Sequence, residues 1–186
     1  MTEAEPWDQV DVGGLRVTAA PARHGVPEIT FVIQGAGTTV FFGGDTMRIP
    51  DLDEVPRRFG GVDLALLPVN GLRIRPFNRQ VVMNAEQAGE YCGVLRPKVA
   101  VPIHYAFTAG PVRDRLFLKY DGTPERFQRA AARYAPATTV RVLAPRRAPC
   151  PGRPGTVTPL SPVSRGRRRA WMATVSRDSG ARNISN

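Results

Sequence analysis

The sequence of 186 residues has little cysteine, histidine or lysine, and these shortages exclude several kinds of protein and site. Two cysteines cannot form the disulfide framework that holds small secreted domains together. Cys92 falls in a predicted helix and Cys150 lies near the carboxyl-terminal end, so we expect a reducing, cytoplasmic setting. Histidine occurs only as His24 and His104, so any histidine-based site has to use one or both of them.

Long apolar runs are also missing. No stretch reaches the roughly 20 apolar residues that a membrane-spanning helix needs. The first residues, MTEAEPWDQ, are acidic and lack the basic and apolar regions of a secretory signal. We therefore expect a soluble cytoplasmic protein with no membrane partner.

The net charge of +10 is concentrated at one end of the chain. Residues 146–186 hold nine arginines against one acid, Asp178, so residues 1–145 carry a net charge of only +2. We predict a near-neutral domain over 1–145 and a disordered tail rich in arginine and proline over 146–186. Such a tail could bind nucleic acid nonspecifically through phosphates, which salt-dependent DNA binding lost on deleting the tail would reveal. Because no recognisable module accompanies it, nucleic acid is only the alternative partner.

Six segments of β-branched and other apolar residues predict strands, several of them bounded by glycine or proline. The first two or three form an antiparallel group, in which Gly35-Ala36-Gly37 makes a tight hairpin connection. The predicted strands are Leu15–Ala20, Glu28–Gln34, Thr38–Phe42, Val62–Val69, Lys98–Ile103 and Thr138–Leu143.

Three helices are predicted between the later strands. The first is a short helix over Pro50–Phe59, the second begins at Asn84 with Gln87 in a capping-box relation, and the third begins at Thr123-Pro124. Residues 70–82 and 106–121 have no periodic pattern and are predicted loops. Antiparallel strands followed by strand–helix alternation indicate an α/β (α+β) domain, a mixed sheet with flanking helices.

Three polar side chains follow predicted strands at their carboxyl ends. His24, Asp45 and His104 each stand at such an exit, and Gly43-Gly44 makes the turn before Asp45. If these strands run in the same direction, the three exits meet at one edge of the sheet, where open α/β sheets commonly bind ligands. Two imidazoles and a carboxylate suit zinc, with iron and manganese as alternatives. The three residues together predict a metal site.

Other polar residues are better explained by structure than by function. Tyr105 is interpreted as a packing residue, Asp63 as a strand-edge residue and Cys92 as a small core residue. The arginines of the 70–82 segment could face an anionic substrate, although a solvated loop is the simpler interpretation; they are Arg73, Arg75 and Arg79.

Four motifs in order resemble a known family. VTAAPARHG, TTVFFGGDT, VDLALLPVNG and KVAVPIHY are similar to the second half of metallo-β-lactamase-fold hydrolases. The branch that they resemble includes ascorbate-6-phosphate lactonase-like and N-acylphosphatidylethanolamine phospholipase-like enzymes. The resemblance runs from Trp7 to Pro145 and implies the carboxyl-terminal half of an αββα sandwich.

The resemblance also implies roles for the three predicted ligands. His24 would be the third histidine of a first metal site, Asp45 would bridge two metals, and His104 would complete the second site. In this family the metals generate a hydroxide at neutral pH and polarise an ester, lactone or phosphodiester.

The family's His-x-His-x-Asp-His motif is not found in this sequence, since no histidine precedes His24. The resemblance therefore implies an incomplete binuclear zinc site that needs further ligands from water, a second chain or a separate amino-terminal half. The first hypothesis is a truncated metal-dependent hydrolase, weakly active or inactive, whose small-molecule substrate the sequence does not identify. The alternative is a noncatalytic remnant or a partner-dependent subunit, and an uncovered sheet face predicts self-association.

Overall fold

A mixed sheet of seven strands runs through residues 4–144, the part of the chain that the computed structural model describes. The predictions for residues 146–186 lie outside the described residues. Its strands are β1 (Gln9–Val12), β2 (Leu15–Pro21), β3 (Ile29–Gly35), β4 (Thr38–Phe42), β5 (Leu64–Pro68), β8 (Val99–Ile103) and β10 (Thr139–Val140). In spatial order the sheet is β1-β2-β3-β4-β5-β8-β10.

The direction of pairing changes at β4. Strands β1 to β4 are antiparallel neighbours, whereas β4, β5, β8 and β10 run parallel. The antiparallel group is local in sequence, and the predicted hairpin between β3 and β4 turns at Ala36 and Gly37, both with positive φ. The parallel group needs helical crossovers, because parallel neighbours cannot be joined by a tight turn. The predicted mixed sheet with flanking helices is confirmed.

Helices follow where the sequence predicts them. A 3₁₀ turn at Pro50–Asp53 leads into α1 (Glu54–Phe59), and the other two predicted helices are α2 (Ala85–Leu95) and α4 (Pro124–Tyr134). The Asn84 side chain accepts a hydrogen bond from the Gln87 N–H at 2.9 Å, and the Gln87 side chain accepts one from the Asn84 N–H at 3.0 Å. This confirms the capping box that starts α2.

One face of the sheet packs against the helices and forms the main core. The inward-facing Val32, Phe41 and Ala65 are fully buried in one cluster with apolar residues of α1, α2 and α4. The ring of Phe41 meets that of Tyr91 on α2 edge-to-face, with centroids 5.6 Å apart. Cys92 lies in the same cluster, and burial raises the pKa of its thiol to about 12. Cys92 is the small core residue that the sequence predicts.

The other face of the sheet is apolar and only partly covered. Register places alternate residues of β3, β4, β5 and β8 side by side on this outer face, and most of them are half-buried or exposed, whereas Pro68 and Val101 are buried. Phe42 is 37% exposed. The half-buried or exposed apolar residues of the outer face include Phe31, Ile33, Val40, Phe42, Leu64, Leu66 and Val99.

Two predicted loops contain short regular elements. Within 70–82, β6 (Arg73–Ile74) pairs with β7 (Arg79–Gln80), and within 106–121 lie α3 (Pro111–Phe117) and β9 (Leu118–Lys119). Strands β7, β6 and β9 form a second small sheet. The sequence pattern missed them because two-residue strands show no periodicity. It also missed the fully exposed β1 and extended the last strand, β10, beyond Thr139–Val140.

Asp63 joins three strands just before β5. Its carboxylate accepts hydrogen bonds from the Thr39 N–H at 2.8 Å and from Lys98 Nζ at 2.7 Å. The hydrogen bond from Lys98, followed by the one from the Thr39 amide, lowers the pKa of this carboxyl. The predicted strand-edge role of Asp63 is confirmed.

No helix among residues 4–144 has both the length and the apolar character needed to cross a bilayer.

Candidate functional site

The exits of three strands lie at one edge of the sheet. Strand β2 is antiparallel to β3 and β3 is antiparallel to β4, so β2 and β4 run in the same direction. Strand β8 runs parallel to β5, which runs parallel to β4. His24, Asp45 and His104 therefore follow strands that all end at the same edge. The condition on which the sequence prediction depended is met.

The turn before Asp45 packs closely on the neighbouring strand. Gly43 donates its N–H to the Leu66 carbonyl at 2.9 Å, which prolongs the pairing of β4 with β5. A Cβ at Gly43 would lie 3.0 Å from both the Leu66 oxygen and Pro68 Cδ, and Gly44 adopts φ +50°. Glycine is required here for close approach and for the left-handed turn. This turn fixes where the Asp45 carboxylate lies.

Asp45 and His104 are in direct contact. Nε2 of His104 lies 2.9 Å from Oδ1 of Asp45, and the two side chains are 21% and 37% exposed. His104 itself has φ +65°, a conformation that is uncommon for residues other than glycine. Its ring stacks on Phe107 with centroids 5.3 Å apart and planes 20° apart. The backbone and the stacked ring together hold the imidazole toward Asp45.

Behind His104 lies Asn70, a residue that sequence reasoning did not select. Asn70 is 2% exposed, and its Nδ2 lies 2.9 Å from Nδ1 of His104. Its backbone carbonyl accepts hydrogen bonds from the N–H groups of Asp121 and Gly122. Asn70 follows β5 at the same edge as the other three residues, so the strand-exit rule applied to β5 would have found it.

His24 lies at the same edge, and among the described residues its ring forms no hydrogen bond or ion pair with Asp45 or His104. Its Nδ1 is 2.8 Å from the Val81 carbonyl, which can only accept a hydrogen bond, so Nδ1 carries the proton. In the neutral ring Nε2 then bears a free lone pair, the arrangement usual for metal-binding histidines. The adjacent Arg23 N–H donates to Thr46 Oγ1 at 2.9 Å, which ties the His24 loop to the segment that carries Asp45.

The two histidines line different cavities. His24 lines an open cleft of about 950 Å³ together with Pro21, Val26 and Ile49, while His104 lines a cavity of about 310 Å³ with Tyr105 and Leu66. The two cavities share no lining residue. Over residues 4–144, no three side chains of histidine, cysteine, aspartate or glutamate form a cluster that could hold a metal. The three predicted ligands thus follow strands that end at one edge of the sheet, and the contact that the structure shows among them is between Asp45 and His104.

The donor atoms of these side chains are of the types that bind divalent metals. Imidazole nitrogen and carboxylate oxygen both bind zinc, and iron and manganese accept the same donors. Ligands at about 2.0–2.2 Å in tetrahedral geometry lie somewhat more than 3 Å apart, close to the 2.9 Å between Nε2 and Oδ1. The Asp45–His104 pair would hold a metal when His104 Nε2 presents a lone pair in place of its proton, and His24 Nε2 is a further donor at the same edge.

A loop anchored by Asp114 forms the wall beside His104. The Asp114 carboxylate accepts hydrogen bonds from Tyr120 Oη at 2.7 Å, from the Ala109 N–H at 3.0 Å and from the Thr108 hydroxyl. The hydrogen bond from Thr108, then that from Tyr120, lowers the pKa of Asp114. Phe107 lies between the rings of His104 and Tyr120. The carboxylate therefore holds the aromatic wall against the histidine.

The remaining sequence candidates have structural contacts. Tyr105 packs against the main core and donates its hydroxyl to the Leu143 carbonyl, which supports the packing interpretation. Arg73 donates to Asp121 at 2.5 Å and to Gln80 at 3.0 Å, so its guanidinium connects elements of the fold. The side chains of Arg75 and Arg79 remain exposed.

Comparisons with known proteins identify the family of this chain. The model of the family described as the beta-lactamase superfamily domain matches residues 1–105. A relative from Anaeromyxobacter sp. (strain K), described as a UPF0173 metal-dependent hydrolase, is 32% identical over 137 residues, which is 73% of this chain and 43% of the relative. The chain spans less than half the length of that relative.

Solved structures share the fold. Igni18, a metallo hydrolase from Ignicoccus hospitalis, aligns with a TM-score of 0.58 at 26% identity, covering 77% of this chain and 57% of that one. The metallo-beta-lactamase fold protein YhfI from Bacillus subtilis aligns with a TM-score of 0.56 at 15% identity, covering 75% and 51%, and so shows likeness of fold alone. From the matched family model and the shared fold, this chain belongs to the beta-lactamase superfamily and has the metallo-β-lactamase fold.

Proposed function

We propose that the chain acts as a metal-dependent hydrolase that cleaves an ester, lactone or phosphodiester bond in a small-molecule substrate. The observation that carries the proposal is the contact between Asp45 and His104 at 2.9 Å, at the sheet edge where His24 presents a free Nε2. Zinc is the proposed metal, with iron and manganese as alternatives. When bound, such a metal supplies a Lewis acid and a hydroxide at neutral pH.

The residues of the chain hold and orient the groups around this chemistry. Asp45 accepts a hydrogen bond from His104 Nε2, and Phe107 keeps the imidazole facing the carboxylate. His24 is oriented by the Val81 carbonyl, which leaves its Nε2 available as a donor. The apolar lining of the His24 cleft, with Pro21, Val26 and Ile49, would accept the uncharged part of a substrate.

Hydrolysis by the full chain tests this proposal. Zinc-loaded protein should hydrolyse at least one of p-nitrophenyl acetate, a γ-lactone and bis(p-nitrophenyl) phosphate, and chelation should abolish the reaction. Asp45→Asn removes the negative charge and should lower the rate at least about 100-fold, a loss of roughly 2.7 kcal/mol in transition-state stabilisation. Asp11→Asn, on the exposed strand β1, is the matched control and should react like the unchanged chain. Metal-independent rates for all three compounds would refute the proposal.

The outer face of the sheet supports a second proposal, that the chain associates with a second copy of itself. Contiguous apolar surface on a sheet favours burial against another apolar layer. Light scattering after size-exclusion chromatography should give a dimer, and Phe42→Lys should dissociate it. Val94→Lys is the matched control, because Val94 on α2 and Phe42 are equally exposed at 37%. A monodisperse monomer of the unchanged chain would contradict self-association.

A further inference from the structure

The hydrogen bonds of Asn70 determine which nitrogen of His104 carries its proton. The Leu72 N–H is buried and donates to Asn70 Oδ1 at 3.2 Å, so the amide oxygen is already engaged. The amide nitrogen Nδ2 is therefore the group that faces His104 Nδ1 at 2.9 Å. Because Nδ2 can only donate, Nδ1 has to accept through its lone pair.

The proton of neutral His104 must then lie on Nε2. This nitrogen is the one that faces Asp45 Oδ1, and the carboxylate accepts its hydrogen bond at 2.9 Å. A continuous chain of donors thus runs from the Leu72 and Asn70 amides through the imidazole to Asp45. His24 has the opposite arrangement, because the Val81 carbonyl holds the proton on its Nδ1.

Which ring nitrogen carries the proton affects metal binding at this edge. A histidine that binds a metal through Nε2 carries its proton on Nδ1 and needs an acceptor there. His24 has that acceptor, whereas His104 faces the donor Nδ2 of Asn70. Turning the Asn70 amide to present its oxygen would leave the Leu72 N–H facing a second donor in a buried position.

We propose that Asn70 is a positioning residue that holds His104 in the tautomer with its proton on Nε2 and thereby limits metal uptake by the Asp45–His104 pair. Its buried amide is fixed by Leu72, so it opposes the tautomer that a metal on Nε2 requires. The part of this inference that concerns metal uptake rests on the proposed function, whereas the tautomer assignment does not.

Asn70→Asp is the sharpest test, because it replaces one donor by an acceptor of the same size. One carboxylate oxygen can accept from the Leu72 N–H and the other from a proton on His104 Nδ1. Asn84→Asp is the matched control. It adds the same charge across the Asn70–Asn84 bridge, and the Asn84 side chain caps α2 and bonds to neither histidine.

Two readouts are compared in the full chain. Long-range ¹H–¹⁵N correlation spectra should show a proton on Nε2 and a lone pair on Nδ1 of His104 in the unchanged chain and in Asn84→Asp, and a proton on Nδ1 in Asn70→Asp. Zinc added alone should bind about tenfold more tightly to Asn70→Asp than to Asn84→Asp, within the 10–100-fold range by which groups bonded to a ligand change metal affinity.

Either readout can overturn the inference. A proton on Nδ1 of His104 in the unchanged chain would refute the tautomer assignment even if Asn70→Asp failed to fold. Equal zinc affinity in the two variants would refute the limit on metal uptake. If no variant bound zinc, the proposed function and the metal-uptake part would both fail, while the spectra would still decide the tautomer.

Discussion

Replacing Asp45 with alanine is expected to weaken zinc binding by the full chain more than 100-fold. Asp45 and His104 are candidate donors in direct contact at the strand-exit edge, so either truncation leaves a single donor in this pair. Even groups that only hydrogen-bond to a metal ligand change affinity by roughly 10–100-fold. The loss of a ligand itself should exceed that range.

Competition with a fluorescent zinc chelator measures the effect. His104→Ala should weaken zinc binding as much as Asp45→Ala, and the double variant should be little worse than either single one, because the two donors act as a pair. Asp11→Ala removes an exposed carboxylate of the outermost strand, β1, which pairs with Arg16. This variant should bind zinc like the unchanged chain. Zinc binding that survives both Asp45→Ala and His104→Ala would place any metal elsewhere on the molecule.

Gly89→Ala should destabilise the fold by about 2 kcal/mol, although alanine is the better helix former. Gly89 lies in α2, where an added Cβ would be 2.4 Å from Ala130 Cβ and 2.8 Å from the Ala130 carbonyl carbon on α4. Glycine in a helix is about 1 kcal/mol less favourable than alanine. Overpacking of a core typically costs about 1–3 kcal/mol and sometimes more. Because the contact involves α4 backbone, the helices have to separate and the clash outweighs the helix propensity.

Gly61→Ala provides the control for this substitution. Apart from its chain neighbours, no atom of the described residues lies within 4 Å of a Cβ built at Gly61, and its backbone does not require glycine. Alanine there should stabilise the chain by about 0.4–1 kcal/mol through the unfolded state. Urea unfolding with unchanged m-values should therefore move the two midpoints in opposite directions. A Gly89→Ala midpoint at or above that of Gly61→Ala would show that α2 and α4 are not packed as described.

Features determined by near neighbours in the chain could be predicted from the sequence. The Ala36-Gly37 turn, the Asn84–Gln87 capping box and the Thr123-Pro124 helix start each involve residues at most three positions apart. Turn conformation and capping depend on such short-range chemistry. Strand β6 was missed because a two-residue strand has no pattern of its own, and one of its two partners, β9, lies more than 40 residues later.

The candidate site was likewise predictable from the sequence only in part. The position of His24, Asp45 and His104 at strand exits is visible in the sequence, and the strand directions confirm the shared edge. The sequence does not show that Asp45 and His104 touch while His24 bonds to Val81. The role of Asn70 depends on Leu72 holding its amide and on His104, 34 residues away, which only the folded chain brings together. The predicted ligand roles of the trio stay predictions.

The change of strand direction at β4 also has a consequence for the order of folding. Strands β1 and β2 are separated by Gly13-Gly14, and β3 and β4 by Ala36-Gly37, whereas β5 and β8 pair across residues 69–98. Each doubling of loop length adds roughly 0.6 kcal/mol of closure entropy, and long-range pairing slows folding. The antiparallel strands should therefore form early and the β5–β8 pair late. Since that late pairing brings His104 to Asp45, the site is assembled at the end of folding, after most of the sheet that carries it.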